Sequence, residues 1–291
     1  MKARAFYLSA VVLCATDLMA MADSATLTIH AGKPGIPISP MLYGIFFEDI
    51  NRSGDGGLYA EMLQNRSFED FNRPMGWTLL NEGGSQATIT LDKSQPLNDK
   101  NPTSLRLDIV GAGKRAGVYN QGYKGVITDG KDPVTLPTTP EGNADLLKWL
   151  KQFDDAQQNP DNGLNVEGGK NYLGSLEARE DSHFSGPLTV SLETQDGTVL
   201  AAQDLPPLGT DWKKYDFSLK PSASEANARF VVSARTTGTV WLDMVSLFPE
   251  DTFNHRVNGL RADLMQMLVA LHPAFVRFPS GSFGEGHRLD E

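Results

Sequence analysis

At 291 residues, 40% of them hydrophobic, the chain can bury a substantial core and is long enough for about two domains. A formal net charge of −10 and a pI near 5.0 argue against nucleic acid, whose phosphates need clustered Lys and Arg. The same charge argues against an anionic membrane surface and is compatible with a neutral ligand such as a sugar.

The first 22 residues read as a secretory signal. Lys2 and Arg4 precede the apolar run 5–15 (AFYLSAVVLCA), which is too short to span a bilayer. Ala20-Met21-Ala22 supplies an A-x-A cleavage site, so an exported protein, periplasmic or extracellular, would begin at Asp23. The alternative is an apolar N-terminal helix of the fold. Cys14, the only cysteine, lies in this leader, and Val11-Val12-Leu13 before it lacks the small residues of a lipidation site. The mature chain then has no disulfide, thiolate nucleophile or cysteine metal site.

Residues 25–29 (ATLTI) alternate as a strand does, and Pro34, Pro37 and Pro40 break up the next stretch. Residues 43–50 (YGIFFEDI) form an apolar run closed by Glu48 and Asp49 and read as a buried strand. Acids there are costly to bury, and in a parallel α/β barrel the carboxyl ends of the strands form the active-site face. A polar loop at 51–57 and a short helical turn over 58–63 (LYAEML) come next. Gly54-Asp55-Gly56-Gly57 lacks the context of a phosphate loop.

From Trp77 the texture changes to short alternating segments at 87–91, 104–110, 172–179, 188–193, 212–219, 229–234 and 239–247. Leu105, Leu107 and Ile109 share one face, with Arg106 and Asp108 on the other; Phe230 and Val232 likewise share a face. Such a series predicts an antiparallel β-sandwich over roughly 73–249. Residues 127–165, rich in Pro, Gly, Asn and Asp, read as an insertion. Its one amphipathic helix would carry Leu146, Leu147, Leu150 and Phe153, capped by Asn143. Beyond Pro249, Leu260, Leu264, Met267, Leu268 and Leu271 fall on one helical face, with Asn258 as cap and Pro273 past the end. The run 274–278 (AFVRF) comes directly after, stopped by Pro279-Ser280-Gly281. Helix, tight turn and strand make half of a parallel α/β unit, so 43–50 and 274–278 are expected to be adjacent parallel strands with the sandwich inserted between them.

The segments YGIFFEDI with GGLYAEMLQNRSFE (43–69) and LRADLMQMLVALHPAFVRFPSGSFGEG (260–286) resemble glycoside hydrolase family 51, the α-L-arabinofuranosidases. GVYNQGY (117–123) and WLDMVSLFPEDTF (241–253) resemble the carbohydrate-binding-like sandwich of many members. The resemblance implies an α/β plus all-β chain: the first two strands and intervening helix of a (β/α)8 barrel, interrupted by a jelly-roll-like antiparallel sandwich. The implied division is 1–22 signal, 23–72 first barrel strand, 73–250 sandwich with helical insertion 127–165, and 251–291 helix and second strand. It also implies a retaining glycosidase releasing terminal arabinofuranosyl units from arabinan or arabinoxylan, using two glutamates about 5–5.5 Å apart. Their motifs do not occur here, so the catalytic pair is expected beyond Glu291 and the 291-residue chain alone is expected to be inactive.

By the same resemblance Glu48 binds substrate, accepting from vicinal sugar hydroxyls. Arg277 supports the nucleophile by holding it ionised. Ser282 stands beside the sugar, where the family usually has Asn or Cys. Ser280 replaces a usual glycine and Gly284 a larger apolar residue. An ion pair of Arg277 with Glu48 or Asp49 is an alternative. The other reading of the whole chain is a non-catalytic carbohydrate-binding protein using the sandwich, with Trp77, Trp212 or Trp241 as sugar platforms unless they are core. No cofactor and no metal is expected, because the histidines lack ligand spacing. Asp154-Asp155 and Asp161-Asn162-Gly163 are oxygen-rich but read as solvated loop, and Asn51 and Asn65 begin glycosylation sequons. The oligomeric state of the full-length enzyme stays open.

Overall fold

Short alternating segments separated by turns bury one face each only by stacking two sheets, and residues 77–120 and 164–249 do so. The computed structural model describes residues 26–29, 32, 35–48, 53–123 and 163–278. The chain forms two units, Met1–Pro40 and Met41–Glu291. The described residues of the first are exposed, and 26–29 form no strand, contrary to the alternation of 25–29.

In the second unit the elements run β1 (Ile45–Phe46), β2 (Trp77–Glu82), β3 (Gln86–Asp92), β4 (Ser104–Gly111), β5 (Arg115–Asn120), β6 (Leu164–Val166) and β7 (Tyr172–Glu180). They continue as β8 (Thr189–Glu193), β9 (Val199–Asp204), β10 (Lys213–Leu219), β11 (Glu225–Ala234), β12 (Gly238–Pro249), α1 (Ala262–Ala270) and β13 (Val276–Arg277). One antiparallel sheet has the order β10-β7-β12-β4-β3. The other has the order β2-β5-β11-β8-β9, with β6 added on β11. The third sheet is the pair β1-β13, which is parallel, as the helix-turn-strand pattern at 260–278 requires.

The sandwich core follows the period of the strands. Leu105 and Leu107 of β4 face Leu242 and Val240 of β12 in register, and all four are fully buried. Arg106 and Asp108, on the outer face of β4, pair with each other at 2.9 Å. Phe217 of β10 stacks on Phe230 of β11, centroids 5.7 Å apart, and so joins the two sheets. Gly174 lies beneath this stack: a Cβ there would stand 2.2 Å from the Phe217 ring.

Strand β11 is buried on both faces because a charge network covers its outer side. Glu193, fully buried, takes Arg115 Nη2 at 2.9 Å and Arg229 Nη2 at 3.0 Å, and Ser191 Oγ at 2.7 Å. Glu82 takes Arg115 from the other side at 2.8 Å. Burial by itself would raise the Glu193 carboxyl, but the hydrogen bonds of Arg115 and Ser191 outweigh it and the group is lowered. The Arg115 hydrogen bond, aided by Lys114, holds the Glu82 carboxyl down at about 2.

Three local expectations are corrected. The described part of the run 43–50, residues 43–48, pairs only over Ile45–Phe46 and is half-exposed, with Phe46 55% accessible, because β13 is its sole strand neighbour among the described residues. Residues 58–63 are not helical: Tyr59 bridges to Leu260, and backbone bonds to neighbouring segments replace a helical turn. Asn258 does not cap α1; it stands at φ 50°, and Arg261 is the N-cap residue. Of the helical face, Leu260, Leu264 and Leu268 are half-buried, while Met267 and Leu271 are exposed. The helix expected at 143–153 lies outside the described residues; of the insertion 127–165 only residues 163–165 are described, and Leu164 and Asn165 open β6.

Phe230→Ala is expected to cost roughly 3–5 kcal/mol in denaturant unfolding, since the ring fills the space between both sheets. Glu82 gives a pH test. Its folded value lies below the unfolded one of about 4.3, so its contribution is present above that value and lost as pH falls toward 2. Glu82→Gln should lower the unfolding free energy at pH 7, by at most about 3 kcal/mol, and the difference should close as pH falls below 2.

Candidate functional site

The site begins at the parallel pair. Ile45 faces Val276 and Phe46 faces Arg277, with Ile45 N–H donating to Phe275 O at 2.9 Å and Phe47 N–H to Arg277 O at 3.0 Å. Gly44 permits this approach, because a Cβ there would meet the Phe275 ring at 2.5 Å. Glu48 comes just after β1 and is half-buried; its carbonyl accepts the Ser53 hydroxyl at 2.5 Å. Arg277 lies on the adjacent strand, exposed, with its guanidinium over the Phe46 ring at 5.2 Å. Two of the sequence-derived site residues therefore stand at the parallel pair, Arg277 on β13 and Glu48 two residues past the end of β1. Among the described residues no ion pair joins Glu48 to Arg277; the arginine stacks instead. Ser282, Ser280 and Asp49 lie outside the described residues.

The loop after Glu48 is tied back to the sandwich through a strip of backbone bonds. Leu58 N–H donates to Ser53 O at 2.8 Å, Arg261 N–H to Leu58 O at 2.9 Å and Met62 N–H to Leu247 O at 2.9 Å. Glu61 locks this strip. Its side chain accepts Leu247 N–H at 2.9 Å, Leu63 N–H at 3.0 Å and the Ser246 hydroxyl, with Arg66 at 3.6 Å. Burial pushes the Glu61 carboxyl up, against the lowering pull of those donors. Sequence reasoning passed over Glu61. The available signal was an acid inside an otherwise apolar run, LYAEML, where an amphipathic turn would have placed it in solvent.

No family model matches the chain. It is 35% identical over 262 residues to an extracellular exo-α-L-arabinofuranosidase of Streptomyces chartreusis, covering 88% of this chain and 26% of that protein. It is 32% identical over 281 residues to α-L-arabinofuranosidase 1 of Arabidopsis thaliana, covering 91% and 35%. Among solved structures, an arabinose-bound GH51 α-L-arabinofuranosidase matches with a TM-score of 0.66 at 32% identity, over 86% of this chain and 36% of that one. Over most of its length the chain is thus similar to α-L-arabinofuranosidases, a GH51 enzyme among them. It spans about a quarter to a third of the length of these relatives.

Two of the three candidate sugar platforms, Trp77 and Trp241, are committed elsewhere. Trp77 is core, packed on Phe68 at 5.5 Å with its Nε1–H donated to Asn65 O at 3.1 Å. Trp241 lies between the guanidinium groups of Arg106 and Arg179, at 5.5 and 5.4 Å, and donates to Asp92 at 2.7 Å. Both positions thus serve structure, not sugar stacking. The sequon asparagine Asn65 is 3% exposed and donates to Met75 O, so its amide is closed to glycosylation in the folded chain; Asn51 lies outside the described residues. Among the described residues no group of three or more His, Cys, Asp or Glu could hold a metal ion. No helix among them is long and apolar enough to cross a membrane. Asp154-Asp155 and Trp149 lie outside the described residues.

Glu61→Ala should destabilise the chain by roughly 2–4 kcal/mol, because it leaves two buried N–H groups and a hydroxyl without their acceptor. Hydrogen exchange should speed up first at Leu63 and Leu247. Glu61→Gln, which keeps an acceptor oxygen, should cost less.

Proposed function

We propose that this chain is part of an exported retaining α-L-arabinofuranosidase that releases terminal arabinofuranosyl units from arabinan or arabinoxylan. The observation that carries the reading is the parallel β1–β13 pair with Glu48 directly after β1, in a chain homologous to arabinofuranosidases over about nine-tenths of its length. In this reading β1, α1 and β13 are the first strand, first helix and second strand of a (β/α)8 barrel. The chain divides as 1–22 leader, 23–72, 73–250 sandwich and 251–291. The relatives' extracellular and arabinofuranosidase names support export and substrate class.

Glu48 orients the sugar. A carboxylate can accept from two vicinal hydroxyls at once, and such charge-assisted bonds fix the ring against the reacting carbon. Ser282 adds a hydroxyl beside the same sugar. Arg277 holds the nucleophilic carboxylate ionised and in place by its fixed positive charge. The nucleophile and the acid/base are glutamates of polypeptide beyond Glu291. The nucleophile forms the covalent glycosyl-enzyme and the acid/base first protonates the leaving oxygen, then activates water. This two-carboxylate chemistry calls on no metal or cofactor.

In the full-length enzyme, Glu48→Gln should reduce kcat/KM on an aryl α-L-arabinofuranoside by roughly a hundredfold or more, the loss of two charge-assisted bonds. Unchanged kinetics would remove Glu48 from the substrate site. Absence of any arabinofuranosidase activity in the parent enzyme would remove the reading itself.

A further inference from the structure

A groove of about 920 Å³ opens beside the strip that leads away from Glu48, at the edge of the sandwich. That volume is at the upper end for a ligand site. Its walls come from three parts of the chain. Gly56 and Tyr59 belong to the loop after β1, Asn165, Lys170 and Asn171 to the β6–β7 edge, and Arg261 and Gln266 to the start of α1. The loop that follows Glu48 and the helix that returns from the sandwich therefore both border it. In a parallel α/β unit the carboxyl end of a strand and the amino end of its crossover helix lie at one end, the face on which substrates bind.

The chemistry of the walls selects the ligand. The cations are already neutralised: Lys170 pairs with Glu167 at 3.0 Å and Arg261 with Asp263 at 2.6 Å. An anionic ligand would find no uncompensated charge. Asn171 donates to Glu250 at 2.9 Å, which fixes both as hydrogen-bonding groups. The amides of exposed Asn165 and Gln266 reach no side-chain partner among the described residues and offer both donors and acceptors. Tyr59 adds an aromatic wall, its ring braced by Arg66, whose guanidinium lies 5.7 Å from the centroid, and by Phe248, edge-on at 5.2 Å. A rigid aromatic, free amides and paired charges suit a neutral polyhydroxylated chain: hydroxyls bond to the amides and carboxylates, and C–H faces lie on the ring.

We propose that this groove binds the main chain of a neutral arabinose-bearing polysaccharide, as a site separate from the one that holds the sugar to be released. The choice of arabinan and arabinoxylan rests on the arabinofuranosidase reading; the preference for a neutral polysaccharide rests on the groove alone. The groove then holds polymer while Glu48 engages one branch.

Native electrophoresis of the 291-residue chain through gels containing arabinan, arabinoxylan or polygalacturonate tests this without any need for activity. Retardation by at least one of the two neutral polymers and not by polygalacturonate is expected. The double variant Asn165→Ala, Gln266→Ala removes only exposed amides and should weaken retardation roughly tenfold in apparent affinity, its circular dichroism unchanged. Lack of retardation of the parent chain, equal retardation by polygalacturonate, or full retardation of the double variant would each overturn the proposal. Aryl arabinofuranoside hydrolysis by the full-length enzyme, which has no polymer to bind, reports separately on the catalytic reading.

Discussion

The buried carboxylate of Glu61 is the contact on which the arrangement of the site depends. An insertion between a strand and the next helix of one unit must leave and return at nearly the same place. Here the outgoing and returning segments lie side by side, with Tyr59 bridged to Leu260 and Ala60 N–H donated to Gly259 O at 3.2 Å. Backbone pairing alone would leave that junction free to slide. Glu61 removes the freedom by accepting from Leu63 within its own segment and from Ser246 and Leu247 of β12, just where the β12 ladder shifts register between Asp243 and Ser246. A bulge is a natural place for such a contact, since it re-aims backbone groups that a regular ladder would consume. The carboxylate therefore sets the position of the strip, and the strip sets the position of the loop bonded to Glu48.

The second constraint is the charge network on the outer face of β11. Burying Glu193 completely is costly, and breaking such a pair by removing one partner costs more than the pair contributes. Two arginines from β5 and β11 converge on it, so the register of those strands with β8 is tied to one geometry. Val118 faces Val232, and Val232 faces Val190, through the same ladders. Apolar packing would tolerate small slips among similar branched side chains, whereas bidentate guanidinium–carboxylate contacts would not.

The sequence is legible where alternation survives. Strands β3, β4, β7, β8, β10, β11 and β12 lie at the segments whose alternation of apolar and polar residues marks them in the sequence. Strand β5 did not, because RAGVYN buries Arg115 as well as Ala116 and Val118, and a buried arginine mimics a surface residue in the pattern. Strand β9 is half-exposed throughout, and β6 is three residues long, so neither leaves a periodic trace. The parallel pairing of β1 with β13, more than two hundred residues apart, was legible because helix, turn and strand at 260–278 require a parallel neighbour. Glu48 and Arg277 were found through motif resemblance. Glu61 was missed because its role is visible only once β12 lies against it.

These contacts have an order of dependence. The sandwich stands on its own core, with residues such as Leu105, Leu176 and Phe230 fully buried. Strands β1 and β13 pair over two residues each, and α1 buries none of its residues fully. A two-residue pairing has little intrinsic stability. Its geometry is inherited through the strip that Glu61 anchors. The cost of that inheritance is apolar surface: Phe46 of β1, Val276 of β13, Phe278 just past it and Met267 of α1 are each more than half exposed, and β1 and β13 have no further strand neighbour among the described residues. Apolar surface of this extent calls for a covering layer. In the barrel reading, that layer is the polypeptide of the remaining strands and helices, added onto a pair whose register the sandwich has already set.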